Sequence, residues 1–356
     1  MQQELQLIKQ ADTSYLQKYN RYESVMGNNA LQIDWMIGNT CNYACSYCDD
    51  MFHDGSVPWP NVDTTVKFIK RLVDHYRIHA PGKKILWNML GGEPTVWPKF
   101  NDVFAQVKEY DPNCIVRMLT NGSRTLRYWE KNAKLFDEVI ISFHPERADY
   151  VHCTEVANIL SNAGTQVSIQ TCLYPPVMEK CLKAAKYYHD KSLASSHIAK
   201  ALQVSLASDE TFQYDKKDLE IVKKYDGVPK RILERVETDE DFEYFENKKK
   251  FKRKMYGHMM RFVNTNTGKF EFFHSSNESM SGGWNTWKGW KCMIGIEALV
   301  IGLNGNVTSG NSCFNELVHG NINQPDKVEF PTDGRICPQT WCSCIGDTEV
   351  TKFKVK

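Results

Sequence analysis

C-N-Y-A-C-S-Y-C-D-D, residues 41 to 50, places three cysteines within eight residues in the spacing C-x3-C-x2-C. The run leading into it, IDWMIG at 33 to 38, reads as a strand, so the cysteines lie on the loop that leaves its carboxyl end. The chain beyond the loop decides which kind of sheet that strand joins. Asp63 is expected to cap a helix with Val66, Ile69, Val73 and Tyr76 on one face, closed by Pro81-Gly82. KILWNML (84 to 90), CIVRMLT (114 to 120), EVIISF (138 to 143), QVSIQTCL (166 to 173) and AKALQVSL (199 to 206) read as further strands separated by helical stretches. Such alternation implies a parallel sheet with helical crossovers. Six βα units of about 30 residues need about 180, which residues 31 to 210 supply. Eight units would need more, so the expected fold is α/β, an open partial (β/α)6 barrel.

Composition narrows the function. The 356 residues carry 44 Lys and Arg against 43 Asp and Glu, a net charge of +1, so no strongly charged partner is implied. The start, MQQELQLIKQ, lacks the basic-then-apolar order of a signal peptide. The apolar run MIGIEALVIGL is broken by Glu297 and is too short to span a bilayer. A cytoplasmic protein without a membrane partner is the expectation, and its twelve cysteines are then ligands or packing thiols rather than disulfides. Cys114, Cys153, Cys172 and Cys181 are scattered and default to packing. Cys292, Cys313, Cys337, Cys342 and Cys344 form a second group.

Three thiolates on one loop leave two readings. A structural zinc site takes four ligands, and His53, five residues past the last cysteine, is a candidate fourth. A [4Fe–4S] cluster held by three cysteines leaves one iron open, and carboxyl ends of parallel strands form the active face of such folds. The second reading is favoured.

C-N-Y-A-C-S-Y-C resembles the signature loop of the radical S-adenosylmethionine (SAM) superfamily, with the aromatic Tyr47 before the last cysteine. G-G-E-P at 91 to 94, T-N-G at 120 to 122 and S-F-H-P at 142 to 145 also end strands, where that family places cofactor contacts. The resemblance covers 31 to 206. It implies a [4Fe–4S] cluster on Cys41, Cys45 and Cys48, with SAM on the open iron. One electron passed to the sulfonium would release a 5′-deoxyadenosyl radical. Gly91, Gly92 and Glu93 would meet the methionyl amino group, and Tyr47, Asn121, Ser142, His144 and Gln170 would complete the SAM site. Strand alternation puts Ile140, Ser142 and His144 on one side, and Ser168, Gln170 and Cys172 on one face. A core hydrogen-bonding role is the competing reading for the polar residues among them. Cys172 is the candidate hydrogen donor, with ordinary packing as its alternative.

Trp290-Lys291-Cys292, the strand-like runs around Asn304-Gly305, Cys313, and C-P-Q-T-W-C-S-C at 337 to 344 resemble the C-terminal extensions called SPASM and Twitch. Five cysteines suit the shorter Twitch with one auxiliary [4Fe–4S] cluster, although 20 residues between Cys292 and Cys313 depart from the usual spacing. Which four of the five bind is left open, and a zinc knuckle is the alternative. Trp284, Trp287 and Trp290 either stack on a substrate or pack over the cluster.

The expected domains are an N-terminal extension (1 to 30), the partial barrel (31 to 210), a charged helical connector (211 to 280) and the Twitch-like domain (281 to 356). The implied function is a radical SAM oxidoreductase. It would abstract hydrogen from a small polar substrate, for instance a sugar or aminocyclitol, and pass an electron to the auxiliary cluster. Flavodoxin or ferredoxin would serve as the reductant. About 30 residues before the first strand leave no room for a peptide-leader domain, so peptide or protein side-chain modification, or epimerisation, is the runner-up. A non-catalytic metal-stabilised nucleic-acid-binding protein gripping phosphates with Lys248, Lys249, Lys250, Lys252, Arg253 and Lys254 is the third reading. For that basic run a solvated helical face is the commoner role.

Overall fold

The computed structural model describes residues 15–24, 30–204, 210–232, 243–246, 249–252, 260–273, 283–310, 313, 317–342 and 344–355. In chain order the strands are β1 (Arg21–Ser24), β2 (Ala30–Met36), β3 (Lys84–Leu90), β4 (Ile115–Thr120), β5 (Glu138–Phe143), β6 (Gln166–Leu173) and β7 (Ser196–Ala201). They continue with β8 (Glu243–Glu246), β9 (Lys249–Lys252), β10 (Met260–Val263), β11 (Phe270–Phe273), β12 (Trp290–Cys292), β13 (Ala298–Ile301), β14 (Asn306–Thr308), β15 (Val318–Asn321), β16 (Arg335–Ile336) and β17 (Lys352–Lys354). The helices of more than one turn are α1 (Val62–His79), α2 (Phe100–Tyr110), α3 (Leu126–Asn132), α4 (Tyr150–Asn162), α5 (Met178–Lys191), α6 (Lys216–Lys223) and α7 (Ile345–Glu349).

The chain forms two compact units and passes between them inside β2 and inside β3. The first unit holds residues 1–35, 60–86 and 256–356. Here β2 runs parallel to β13, and β13, β14 and β15 pair antiparallel. A second sheet runs β11-β10-β1-β17-β12-β16, antiparallel throughout. Its core packs Tyr22, Phe262, Trp287 and Trp290 around Cys292, Cys337 and Cys342. Trp287 and Trp290 are buried there, so they are packing residues rather than a platform for a substrate ring.

The other unit holds residues 36–59 and 87–255. Its strands β4 to β7 are parallel and in chain order, with α3, α4 and α5 as crossovers. The expected α/β architecture with a parallel sheet is present. Strands β5 and β6 alternate sides, so their inward residues form two faces. Phe143, Val156, Leu160 and Tyr188, all buried, seal the helix-facing side.

Three boundaries differ from the expectations. The cap of α1 is Asn61, whose side chain accepts from Thr64 N, while Asp63 lies in the first turn. β7 begins at Ser196 because Ser195 N donates to Val167 O and His197 exchanges backbone hydrogen bonds with Gly227. The stretch expected as a charged helical face contains an antiparallel hairpin, β8 with β9. Its register sets Glu243 opposite Lys252 and Glu246 opposite Lys249. Lys248, Arg253 and Lys254 of the basic run lie outside the described residues. Among the described residues no helix is long and apolar enough to cross a membrane.

Candidate functional site

The cysteine loop begins where the chain leaves β2, and its base is closed before any ligand is present. Gly92 N donates to Gly38 O and Glu93 N to Thr40 O, both at 2.9 Å, which laces residues 38–40 to the G-G-E stretch after β3. The close approach explains both glycines. Gly91 has φ +118°, and a Cβ there would collide with Gly38 O, while one on Gly92 would collide with Thr40 O. On the far side of the loop Asn39 Nδ2 donates to Asp54 Oδ1 at 2.5 Å and Ser56 Oγ at 3.0 Å. Its Oδ1 accepts from Val57 N at 2.9 Å, so one side chain ties both ends of the loop.

Residues 144–147, directly after β5, hold the loop's middle. Arg147 donates from Nε and Nη2 to Ala44 O at 3.2 and 2.9 Å. Glu146 accepts from Ser46 N and Ser46 Oγ, each at 2.7 Å. Tyr47 OH meets His144 Nδ1 at 3.0 Å with the two rings stacked 10° from parallel. Burial holds His144 near a pKa of 4, so the ring is neutral at pH 7. Sequence reasoning found His144 and Tyr47 but missed Glu146 and Arg147, although they follow S-F-H-P directly.

Glu93 is fully buried, and its carboxylate accepts from Thr95 N, Thr95 Oγ1, Thr120 Oγ1 and Asn121 N at 2.6 to 3.1 Å. Those donors make it a brace between the ends of β3 and β4. Asn121, fixed by that brace, donates from Nδ2 to Asn42 Oδ1 at 2.9 Å and reaches Cys41 Sγ at 3.8 Å.

A cavity of about 610 Å³ opens at these strand ends. Cys41, Cys45, Cys48, Tyr47, Gly91, Gly92, Asn121, Ser142, His144 and Cys172 all line it. Lys200, Tyr43 and His53 line it too, and of these Lys200 lies in no motif that would have marked it. Gln170 is not among the lining residues. Burial pushes the thiols up, Cys45 to about 12 and Cys172 to about 11, with Cys41 and Cys48 raised as well. A metal would invert that order, because coordination stabilises thiolate outright.

Among the described residues no three His, Cys, Asp or Glu side chains converge on a point suited to one metal ion. His53 faces Asp50 at 3.4 Å and joins no such group, so the zinc reading has no preformed site. A cluster needs a different arrangement. Each thiolate takes its own iron, and thiols spread around one cavity wall fit that demand.

The second cysteine group is buried. Cys313 is pushed up to about 12 by burial, with Asp347 and then Cys337, Cys292 and Cys342 adding to the shift. Burial pushes Cys292 to about 11, again with Cys337 and Cys342 contributing. Cys344 is also pushed to about 11 by burial, with Asp347 and Asp34 adding to the shift. Backbone bonds hold the set: Cys337 N donates to Trp290 O at 2.7 Å, and Cys342 N to Asn285 O at 2.9 Å. Cys292, Cys337 and Cys342 share one buried core, and Asp347 lies within electrostatic reach of Cys313, Cys342 and Cys344.

Residues 35–150 match the family model of the Radical SAM superfamily, so the chain carries a radical SAM domain. Domains of that family use SAM and a [4Fe–4S] cluster. Among solved structures, the chain is similar to anSMEcpe with bound AdoMet at 14% identity, over 82% of this chain and 78% of that one, with a TM-score of 0.45. It is similar to BtrN in complex with AdoMet and 2-DOIA at 15% identity, over 82% and 78%, with a TM-score of 0.36. Similarity to Streptococcus suis SuiB bound to precursor peptide SuiA is 13%, over 81% and 61%, with a TM-score of 0.46. Likenesses this loose carry no argument about reaction or substrate. No curated protein sequence matches the chain.

Proposed function

We propose that this chain is a radical SAM enzyme that abstracts hydrogen from a small polar substrate and oxidises it, with a second cluster on Cys292, Cys313, Cys337 and Cys342 as electron acceptor. The observation that carries the reading is the gathering of Cys41, Cys45, Cys48, Gly91, Gly92, Asn121, Ser142 and His144 around one cavity at parallel strand ends. When bound, the cluster and SAM supply a hydrogen-abstracting organic radical, given one electron from a flavodoxin or ferredoxin.

The chain's own residues prepare for that chemistry. The Gly38–Gly92 and Thr40–Glu93 hydrogen bonds fix the strand ends, and Glu146 and Arg147 fix the loop between its cysteines. Ser142 and Asn121 offer hydroxyl and amide groups toward a ribose and a carboxylate. The cavity falls within the range of single-ligand pockets, and SAM would fill much of it, which favours a small substrate over a large one. After one hydrogen atom leaves the substrate, a cluster held by Cys292, Cys313, Cys337 and Cys342 would supply an acceptor for the one electron whose loss, with a proton, completes a two-electron oxidation.

Quenching by a thiol is the second reading, and the position of Cys172 favours it. Its side chain lines the cavity and, with a pKa near 11, keeps its S–H at neutral pH. Turnover in deuterated water separates the two. Oxidation gives a product lighter by two hydrogens without carbon-bound deuterium. Thiol quenching adds one deuterium at carbon and stops in Cys172→Ala while 5′-deoxyadenosine still forms.

A further inference from the structure

A fully buried lysine stands beside the second cysteine group. Lys352 is 1% exposed. Its Nζ donates to Asp347 O at 2.7 Å, Thr348 O at 3.1 Å and Val350 O at 2.7 Å. A neutral amine has only two N–H bonds to give, so three carbonyl acceptors require the ammonium. The aromatic rings around it agree: Nζ lies 5.6 Å from the Tyr22 ring centre and 5.3 Å from that of Trp287. Among the described residues no carboxylate forms an ion pair with Lys352. Arg117, the other buried Lys or Arg among the described residues, is paired with Glu138.

Leaving a positive charge in an aromatic core without a counter-charge is costly. Three carbonyls at the end of α7 offset part of that cost, but a polar cap on a five-residue helix does not need a buried charge. The sheet register indicates what else the charge faces. Directly opposed residues on antiparallel strands point to the same side. Phe262 pairs with Tyr22, Tyr22 with Lys352, and Lys352 with Cys292. The ammonium's stem therefore stands next to Cys292 in one cross-strand row. It also lies within electrostatic reach of Cys342, since burial raises both thiols and Lys352 pulls both back down.

We propose that Lys352 is the built-in counter-ion of a four-thiolate centre on Cys292, Cys313, Cys337 and Cys342, strengthening its hold on the metal cluster and raising its reduction potential. The inference rests on the second-cluster reading above. A cluster bound by four thiolates carries net negative charge, and net charge is among the quantities that set its potential. A buried ammonium stabilises the more negative, reduced state most.

The test uses the full chain with C41A, C45A and C48A, so that any iron belongs to the second centre. Lys352→Gln removes the charge while keeping an N–H2 group for the carbonyls, Lys352→Met removes both, and Lys352→Arg keeps the charge. Far-UV circular dichroism of the metal-free variants checks the fold. The expected results are about four iron in the parent, a lower midpoint potential in Lys352→Gln, and iron lost to a chelator about tenfold faster, as for other residues that support metal ligands. Lys352→Arg should restore both values toward the parent. Four iron with unchanged potential and chelation rate in Lys352→Gln would overturn the counter-ion alone. A parent that binds no iron would remove the second cluster and the counter-ion with it. If Lys352→Gln and Lys352→Met both fail to fold without metal, the ammonium serves folding and the proposal is overturned.

Discussion

The two cysteine groups sit in contrasting surroundings. Cys41, Cys45 and Cys48 lie on a loop whose backbone is held by Asn39 at its base and by Glu146 and Arg147 at its middle. Their sulfurs face a cavity shared with Gly91, Gly92 and Ser142. Cys292, Cys337 and Cys342 instead belong to a core of tryptophan, tyrosine and phenylalanine, anchored by sheet and backbone hydrogen bonds. Beside them the charge is supplied by a sealed lysine rather than by an incoming ligand. An open site must admit its cofactor, so its polar groups are spent on shaping a loop. A closed site admits nothing further, so apolar packing around the ligands suffices.

Removing thiols one at a time puts this contrast at greatest risk. Cys337→Ala should cost about half of the iron, about four of eight per chain after anaerobic reconstitution, and leave SAM cleavage intact. Cys344→Ala should cost none, because the proposed set of four ligands leaves it out. Equal iron loss in the two variants would show that the set of four has been drawn wrongly.

Glu93→Ala comes next in size. Removing a buried carboxylate strands the donors of Thr95, Thr120 and Asn121, and hydrogen bonds to charged groups contribute about 1.5–3 kcal/mol each. Both thermal stability and SAM affinity should fall together, the affinity by roughly ten- to a hundredfold. Loss of SAM affinity at unchanged stability would mean that the carboxylate faces the ligand after all.

Much of the open site was legible in the chain because each part ends a strand, and strand ends in parallel folds converge. The spacing of Cys41, Cys45 and Cys48, the glycines at 91 and 92, and alternation along β5 each carry a local signature. The burial of Glu93 was not legible, because a buried and an exposed carboxylate look alike in sequence. Its bracing contacts appear only when β4 brings Thr120 and Asn121 beside it. Glu146, Arg147 and Lys200 act across about 50 to 150 residues of chain and leave no short-range pattern. Lys352 was illegible for the same reason. A lysine in K-F-K reads as a solvated strand residue until its row in the sheet is known.

A smaller effect separates core from site by pH. Burial holds His197 near a pKa of 4, with Nε2 at 2.8 Å from Thr171 Oγ1 and Nδ1 at 3.0 Å from Tyr225 O. The unfolded chain takes up that proton near pH 6.5 and the folded one only near 4. Stability contributed by the neutral ring is therefore complete above 6.5 and lost as pH falls toward 4, on the order of 3 kcal/mol. Unfolding midpoints at pH 7.5 and 5 should differ less in His197→Gln than in the parent chain. An equal difference would assign the acid sensitivity to other groups.

Glu146→Gln should have the smallest effect. It keeps an acceptor for Ser46 but loses the charge, so amide exchange at residues 44 to 48 should quicken several-fold without loss of global stability. Unchanged exchange would mean that the loop is held by Arg147 and Asn39 alone.

The functional reading stands or falls on the cavity-facing thiols, and not the sealed ones, forming the centre that cleaves SAM. Anaerobic incubation of the iron-loaded chain with dithionite and SAM, read as 5′-deoxyadenosine by mass spectrometry, decides the point. Product is expected from the parent and from Cys337→Ala, and none from the variant lacking Cys41, Cys45 and Cys48. No product from an iron-loaded parent, or product persisting in the variant without those three cysteines, would contradict that assignment.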